Sequence, residues 1–336
     1  MNYFSAEPVC NLRSLRSVSL KVPDTRPARD FYHEVWGGLS TVEEDTDKFW
    51  LRGTGSEHHI LRLERGEQNA LGGGVSFALA TPQDVDRAAT KLTVLGGIPL
   101  FREPGPLDDA AGGYGLQLVD PEGRLVELSA DVHAVVSQEP AGRRALPRKI
   151  AHVVLNTVDI DRATAFYTQV LGMRISDWSE HQMAFLRCNS EHHAIAFNQA
   201  PWTSVNHVAY EMQSIDHFMR GIGNLKRHNI APPQWGPGRH GPGDNTFSYF
   251  TDPPSGLVCE YTSEVAQVDE DSWLCRTWER TPELSDQWGG TAGPPTTAVR
   301  SAMAGIPDSG YKSLVVPGRE DYFSMPETPA AEKAHA

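Results

Sequence analysis

The chain has 336 residues, of which 39% are apolar and 22% charged, and its length favours two ordinary globular domains over one continuous core. No apolar run approaches the roughly 18 residues that a membrane-spanning helix needs, so we expect no membrane partner. The formal net charge of −13 argues against nucleic acid, which would repel an acidic surface, and a small organic molecule is the expected partner.

The N-terminal residues, MNYFSAEPVC, lack the charged and then apolar segments of a secretory signal peptide. The four cysteines are Cys10, Cys188, Cys259 and Cys275, and their spacing is too wide for the framework of a disulfide-rich fold. We therefore expect reduced thiols and a cytoplasmic protein.

The chain contains two copies of one sequence pattern. Residues 16–37 match residues 151–172 at a constant offset, so that Asp24 falls on Asp159, and a Phe-Tyr pair recurs within each predicted helix. Further matches lie at residues 57–59 and 191–193, and at residues 120–128 and 252–261. Such a repeat indicates two domains of the same fold.

Each copy divides again into two halves that begin alike. An alternating strand is followed by a helix of about ten residues with an apolar stripe, and then by short strands separated by turn residues. The pattern predicts an α+β fold of four β-α-β-β-β modules, two in each tandem domain. We place the N-terminal domain at residues 12–130, a linker at 131–148, the C-terminal domain at 149–265 and a tail at 266–336.

The tail matches neither copy. It is rich in Pro, Gly and Ser, but Trp273, Trp278 and Trp288 indicate that its first part packs on the rest of the protein. Its last residues, PETPAAEKAHA, are expected to be disordered. The composition leaves open whether the tail covers a substrate entrance or an oligomer interface.

The two copies differ at positions that carry candidate metal ligands. His152 lies in the first strand of the C-terminal domain, where the N-terminal domain has Ser17, and His207 lies in a later strand, where the other copy has Ser76. Glu260 lies in the last strand. A single histidine in a strand is more often a buried core residue than a ligand, and a single glutamate is usually solvated. The three residues are therefore informative only as a set.

These residues occupy equivalent places in their modules, early in a first strand or late in a last one, so closing the sheet would bring them to one cavity. Two neutral imidazoles and one carboxylate, with open positions for other ligands, are typical of non-haem iron(II) sites that react with dioxygen. The sequence predicts a metal site formed by His152, His207 and Glu260. It predicts none in the N-terminal domain, which has serines at both histidine positions.

The chain resembles the extradiol ring-cleavage dioxygenases of the vicinal oxygen chelate superfamily in its repeated modules, in its two histidines and glutamate, and in the segment GRHGPGDNTFSYFTDPPSGLVCEY at residues 238–261. The likeness covers residues 12–265. It implies a curved mixed sheet around a cavity in each domain, an iron(II) cofactor with manganese(II) as the alternative, dioxygen as co-substrate and a catechol-type aromatic diol as substrate. Relatives form symmetric oligomers, so a homo-oligomer is also expected.

The resemblance also implies three catalytic residues. His193 matches the acid–base histidine of the family, with His192 as the alternative, and would take a substrate proton and later return one. His240 would orient substrate or dioxygen, and Tyr249 would hydrogen-bond the ionised catechol oxygen. An extra proline in the DPPSG turn leaves open a one-residue shift of the strand, which would bring Phe250 to the site instead of Tyr249.

Two other functions fit parts of the pattern. A metal-dependent isomerase or lyase of the glyoxalase or epimerase type has the same fold, but it usually needs a fourth protein ligand or a carboxylate base. A non-catalytic protein that binds an aromatic ligand would not need both histidines. The sequence does not identify the substrate, although Trp178, Trp202 and Trp235 are candidates for shaping its pocket.

Overall fold

The computed structural model describes residues 10–95, 97–138, 145–230, 233–291 and 295–312. The segment expected to be disordered and residues 139–144 of the predicted linker lie outside these residues. Within the described part of the chain, no helix is long and apolar enough to cross a membrane.

The first sheet has eight strands, which are β1 Ser14–Val22, β2 Ser40–Asp45, β3 Lys48–Arg52, β4 Leu61–Arg65, β5 Ala70–Ala78, β6 Leu100–Pro106, β7 Tyr114–Val119 and β8 Leu125–Ala130. Their order across the sheet is β2-β3-β4-β1-β5-β8-β7-β6. Two helices accompany this sheet, α1 at Thr25–Asp30 and α2 at Pro82–Thr90, and each continues into a wider π-helical turn, at Phe31–Val35 and Lys91–Leu95.

The second sheet has nine strands, which are β9 Pro147–Thr157, β10 Arg174–Ser179, β11 Met183–Arg187, β12 Ile195–Gln199, β13 Ser204–Met212, β14 Trp235–Arg239, β15 Thr246–Thr251, β16 Val258–Ser263 and β17 Arg276–Trp278. Their order is β14-β15-β16-β13-β9-β12-β11-β10-β17. The accompanying helices are α3 Ile160–Gln169 and α4 Ile215–Arg227, and the tail adds α5 Pro282–Ser285 and α6 Thr297–Ala302. Strand β9 begins inside the predicted linker, because Pro147 already pairs with Met212.

Each sheet consists of two modules that meet through their first strands. Strand β1 pairs antiparallel with β5, and β9 pairs antiparallel with β13. The first strand of each module also runs parallel to one of its own later strands, β1 to β4, β5 to β8, β9 to β12 and β13 to β16. The predicted α+β architecture of four β-α-β-β-β modules is confirmed.

Helices α1 and α3 begin at equivalent aspartates. Asp24 and Asp159 each accept a hydrogen bond from a backbone N–H of the first turn, which would otherwise lack a partner within the helix. The Phe-Tyr pair of each copy is buried. The repeated residues therefore have the same structural role in both copies.

An aromatic contact joins the two sheets next to the candidate metal ligands. Trp36 stacks on Tyr261 of β16 with 4.0 Å between the ring centroids, and the Tyr261 hydroxyl donates to the backbone carbonyl of Trp36. The Tyr32 hydroxyl donates to Asp252 Oδ2 at 2.9 Å, in the turn before β16. Because Tyr261 follows Glu260, these contacts position the strand that carries one candidate ligand.

The tail packs on the second sheet. Strand β17 extends the edge of this sheet beside β10. The ring N–H of Trp273 donates to the carbonyl of Ser176 at 2.9 Å, and that of Trp278 donates to Asp177 Oδ2 at 2.7 Å. Trp288 is 44% exposed. Two of the three tail tryptophans therefore anchor the tail.

Candidate metal centre and substrate cavity

His152, His207 and Glu260 lie on three neighbouring strands, β9, β13 and β16. The register places Ala209 of β13 opposite both His152 and Glu260, so these side chains point to the same face of the sheet. His207 precedes Ala209 by two residues and points to that face as well. Ala209 contributes only a methyl group to the space between the three larger side chains.

The three side chains converge on one buried point. Nε2 of His152 and Nε2 of His207 each lie 3.1 Å from Oε2 of Glu260, and one ligand atom from each residue lies within 4.8 Å of the others. All three are buried. Burial alone would raise the pKa of Glu260, but the adjacent His152 and His207 outweigh it and hold this pKa at about 2. The carboxylate is therefore ionised at neutral pH.

The donor atoms fit a divalent cation. Nδ1 of His207 donates to Oδ1 of Asn206 at 2.7 Å, which leaves the lone pair of Nε2 free to coordinate. Among the described residues, Nε2 of His207 and Oε1 of Glu260 are buried without a hydrogen-bond partner. Burial lowers the pKa of His207, so its imidazole is neutral at neutral pH. A bound metal would satisfy these atoms.

The equivalent place in the first sheet is chemically different. Ser76 of β5 donates to Glu127 Oε1 at 2.9 Å, and Gln117 donates to Glu127 Oε2 at 3.1 Å. Ser17 lies opposite Ser76 in the register. The carboxylate of Glu127 thus has hydrogen-bond donors where Glu260 has imidazoles, and the cavity lined by Ser17, Ser76 and Glu127 has a volume of about 20 Å³.

His193 lies beside the candidate ligands and lines the cavity in front of them. Its ring centroid is 4.2 Å from that of His152. His192 is fully buried on the far side, where its Nε2 lies 3.1 Å from Asp177 Oδ2. Gly243, with φ +78°, passes close to both rings, and a Cβ there would lie 3.2 Å from His193 Cε1. Of the two adjacent histidines, His193 is the one that reaches the cavity.

A chain of hydrogen bonds sets the tautomers of both histidines. Asp177 accepts from Nε2–H of His192, which leaves Nδ1 of His192 as an acceptor. Nδ1 of His193 lies 3.0 Å from that atom and donates to it. Nε2 of His193 is then unprotonated. Burial and the neighbouring His152 lower the pKa of His193 well below its usual value, so the ring is a neutral base.

His240 and Tyr249 form a second pair at the cavity wall. Nδ1 of His240 donates to the carbonyl of Ser285 at 3.2 Å, so its Nε2 accepts from the Tyr249 hydroxyl at 3.0 Å. Burial lowers the pKa of His240 to about 4, which keeps the ring neutral at pH 7. The Tyr249 ring also lies against His207, with 5.1 Å between the centroids. This pair connects the tail to the candidate metal centre.

The extra proline does not turn Tyr249 away from the cavity. In β15, Tyr249 lies opposite Glu260, whereas Phe250 lies opposite Cys259 and packs in the main core with Trp36. The additional residue falls in the turn after β15, where Ser255 donates to Asp252. The turn thus accommodates the insertion, and Phe250 packs in the core instead of lining the cavity.

A cavity of about 430 Å³ opens in front of the six predicted site residues. His152, His193, His207, His240 and Tyr249 line its inner end. Val154, Met183 and Phe185 line one wall and pack in an apolar cluster with the buried Ala196. Of the three tryptophans considered from the sequence, Trp202 and Trp235 line the cavity, while Trp178 stacks on His181 elsewhere.

Several cavity residues have no clear signal in the sequence. Arg280, Ser285 and Arg300 come from the tail, which has no counterpart in the first copy to compare it with. Asp177 contacts His192 and does not line the cavity. It is a fully buried acid in strand β10, and buried acids almost always have a specific partner.

Comparisons with known sequences agree with this architecture. Residues 149–261 match the family model of the Glyoxalase/Bleomycin resistance protein/Dioxygenase superfamily. Metapyrocatechase 2 of Cupriavidus necator is 28% identical over 57% of this chain, and the match spans 65% of that protein, just under two thirds. The manganese-dependent 2,3-dihydroxybiphenyl 1,2-dioxygenase of Geobacillus genomosp. 3 is 24% identical over 78% of this chain and 88% of its own length. An iron-dependent extradiol dioxygenase of Rhodococcus jostii is 26% identical, with 79% and 94% covered.

A solved structure extends the likeness over nearly the whole chain. The Mn(II)-bound glyoxalase from Novosphingobium aromaticivorans superposes with a TM-score of 0.81 and is 37% identical in sequence. The match covers 90% of this chain and 97% of that protein. This chain is a member of the glyoxalase/bleomycin resistance protein/dioxygenase superfamily, also called the vicinal oxygen chelate superfamily.

Proposed function

We propose that this protein is an extradiol dioxygenase, which opens the ring of a catechol-type aromatic diol with dioxygen. His152, His207 and Glu260 would hold iron(II) or manganese(II), and His193, His240 and Tyr249 would act on the substrate. The observation that carries the proposal is that five of these side chains line one cavity, while the sixth, Glu260, lies in contact with His152 and His207. The names of the sequence relatives, which are extradiol dioxygenases of either metal, also support it.

The chemistry would be divided between the cofactor and the side chains. When bound, the divalent metal lowers the pKa of a substrate hydroxyl and brings the diol and dioxygen together. The apolar wall formed by Val154, Met183 and Phe185 would hold the aromatic ring and exclude water. The protein thus supplies orientation and proton transfer, while the redox chemistry belongs to the cofactor.

His193 would move the protons. Its unprotonated Nε2 can accept a hydroxyl proton from the bound diol and return it when the ring opens. Asp177 and His192 would act as positioning residues, because their hydrogen bonds keep the proton of His193 on Nδ1. Without them, either nitrogen of His193 could carry the proton.

Tyr249 would stabilise negative charge on a substrate oxygen. Its hydroxyl donates to His240 in the absence of substrate, so donation to the diol requires that it exchange one acceptor for another. An anionic oxygen is a stronger acceptor than a neutral imidazole, and the exchange is therefore favourable. His240 would hold the hydroxyl near the required position until substrate binds.

Replacing Tyr249 by Phe should lower kcat about tenfold or more, because one hydrogen bond to a charged oxygen is lost. The metal content should stay the same, since Tyr249 is not one of the three ligands. Steady-state oxygen uptake and metal analysis of the same preparation test this expectation. Unchanged kcat in the Tyr249→Phe variant would remove Tyr249 from the mechanism.

A metal-dependent isomerase of the glyoxalase type is the second candidate, because the 37%-identical structure carries that name. Within the described residues, however, only three metal-ligating side chains converge. An isomerase would also leave the pair formed by His240 and Tyr249 without an evident role. Oxygen consumption separates the two functions, since isomerisation needs none.

The test of the proposed function is anaerobic loading of the purified protein with iron(II) or manganese(II), followed by addition of a panel of catechols in air. We expect uptake of one dioxygen per diol and a yellow ring-opened product, and neither should form with metal-free protein. Loss of a diol without oxygen uptake would favour an isomerase or lyase. Tight binding of catechols that survives His152→Ala, without turnover, would favour a non-catalytic binding protein.

A further inference from the structure

Two arginines of the tail line the outer part of the cavity. Arg280 follows β17, and Arg300 lies in α6. Neither forms an ion pair with a carboxylate of the described residues, unlike the surface arginines of α2 and α4, which pair with aspartates of their own helices. The lining residues in the described chain include one carboxylate, that of the exposed Glu279. The mouth of the cavity therefore carries more positive than negative charge, although the whole chain has a net charge of −13.

Arg280 is partly withdrawn from solvent, and the carboxylate of Glu180 accepts from its backbone N–H at 3.2 Å, not from its guanidinium. Its Nη1 donates to Ser179 Oγ at 3.1 Å, which fixes the guanidinium against the end of β10. Burial lowers the pKa of Arg280, Glu180 opposes this effect, and the positive charge of Arg300 adds to it. Two neighbouring cations that disfavour each other are stabilised by an anion placed between them.

The register of the sheet gives the position of this charge relative to the metal centre. Ser179, Met183, Asn198 and Asn156 form one row across β10, β11, β12 and β9. Asn156 follows His152 by four residues on β9, and four residues of a strand span about 13 Å. The guanidinium of Arg280, bound to Ser179, thus lies well beyond the reach of a single catechol ring held at the metal.

The lining of the cavity is apolar next to the metal centre and polar at the other end. Val154 and Phe185 provide apolar surface next to the metal centre, and Met183 packs against them. The outer row then offers uncharged amides, with Asn198 and Gln199 among the lining residues. A ligand that is complementary to these surfaces has a diol at the metal end, an apolar aromatic body in the middle and a polar group at the other end.

We propose that Arg280 and Arg300 form a binding site for a carboxylate at the far end of the aromatic diol substrate. The substrate class is then an elongated catechol, such as a biaryl, with an anionic group distal to the diol. Planar guanidinium groups suit a carboxylate because they can donate two parallel hydrogen bonds. This inference rests on the proposed dioxygenase function and specifies which diols the enzyme prefers.

The experiment compares two matched substrates with the metal-loaded protein. One is a biaryl catechol with a carboxylate on the far ring, and the other is the corresponding primary amide, which has nearly the same shape but no charge. We expect kcat/KM to be about tenfold higher or more for the carboxylate, as a charged hydrogen-bond partner allows. The preference should appear mainly in KM, because the anion contacts the arginines before and during the reaction.

Variants assign the preference to the arginines. Arg280→Gln and Arg300→Gln should each reduce it, and the double variant should turn over both substrates about equally well. Arg280→Lys should restore part of the preference by keeping the charge. The exposed Arg227 of α4 does not line the cavity, so Arg227→Gln is the matched control and should behave as the parent.

Anaerobic calorimetry with the same two compounds separates this inference from the function on which it rests. Equal kcat/KM and equal affinity for the acid and the amide in the parent protein would overturn the carboxylate site and leave the dioxygenase function intact. Absence of turnover, with metal bound and with tighter binding of the acid that is lost in Arg280→Gln, would support the site and contradict the dioxygenase.

Discussion

Replacing Glu260 by Gln should abolish stable metal binding and, with it, ring cleavage. The substitution keeps the size and shape of the side chain but removes the carboxylate from a site otherwise made of two imidazoles. Loss of a partner that merely orients a ligand commonly costs 10- to 100-fold in metal affinity, so loss of this direct ligand should cost more than about 100-fold. Metal analysis after gel filtration and oxygen uptake with a catechol measure the two effects.

The duplicated fold provides the matched control. Glu127 lies in the corresponding strand β8 of the first sheet, where Ser76 and Gln117 donate to it. Glu127→Gln is an equally conservative change at an equivalent place, and it should leave the metal content and kcat unchanged. If Glu260→Gln retained one metal per chain with parental activity, His152 and His207 would have to find their third ligand elsewhere.

Replacing His193 by Gln should reduce kcat by about 10²- to 10⁴-fold, the range expected when a general acid–base residue is lost. Metal binding should persist, because His193 lines the cavity beside His152 but is not one of the three ligands. The variant should therefore bind a catechol anaerobically with near-parental affinity and turn it over slowly. Calorimetry and rapid mixing with oxygenated buffer distinguish binding from turnover.

Two further variants test why kcat falls when His193 is replaced. His59 is the residue of the first copy that corresponds to His193, and His59→Gln should have parental kcat. Asp177→Asn should lower kcat about 10- to 100-fold, because the amide no longer fixes the proton of His192 and hence that of His193. An Asp177→Asn variant with parental kcat and an unshifted pH profile would restrict Asp177 to anchoring the tail.

The sequence alone sufficed for the modular architecture and for the candidate metal ligands. Both followed from comparison of the two copies, since residues that maintain the fold recur while His152 and His207 are replaced by serines. It was harder to predict from the sequence which of the two adjacent histidines faces the cavity. His192 and His193 lie in a bend between β11 and β12, where the two-residue alternation of a strand does not apply.

The tail residues that line the cavity could not be predicted from the sequence, for a different reason. The residues of the tail have no second copy, and their contacts are long-range, such as that between Trp278 and Asp177. Periodicity reports which face of an element is buried but not which distant segment covers it. The arginines at the cavity mouth, Arg280 and Arg300, therefore appeared only in the folded structure.

The predicted homo-oligomer stays a prediction.

The stacked pair of Trp36 and Tyr261 has a consequence for how the two halves of the molecule depend on each other. A chain truncated to the second half would expose the rings of Tyr261, Phe250 and Tyr210, which are now covered by aromatic residues of the first half. The half without the candidate metal ligands thus packs against, and supports, the half that has them. After the duplication, one copy carries the candidate metal ligands and the other covers aromatic residues of the strands that hold them.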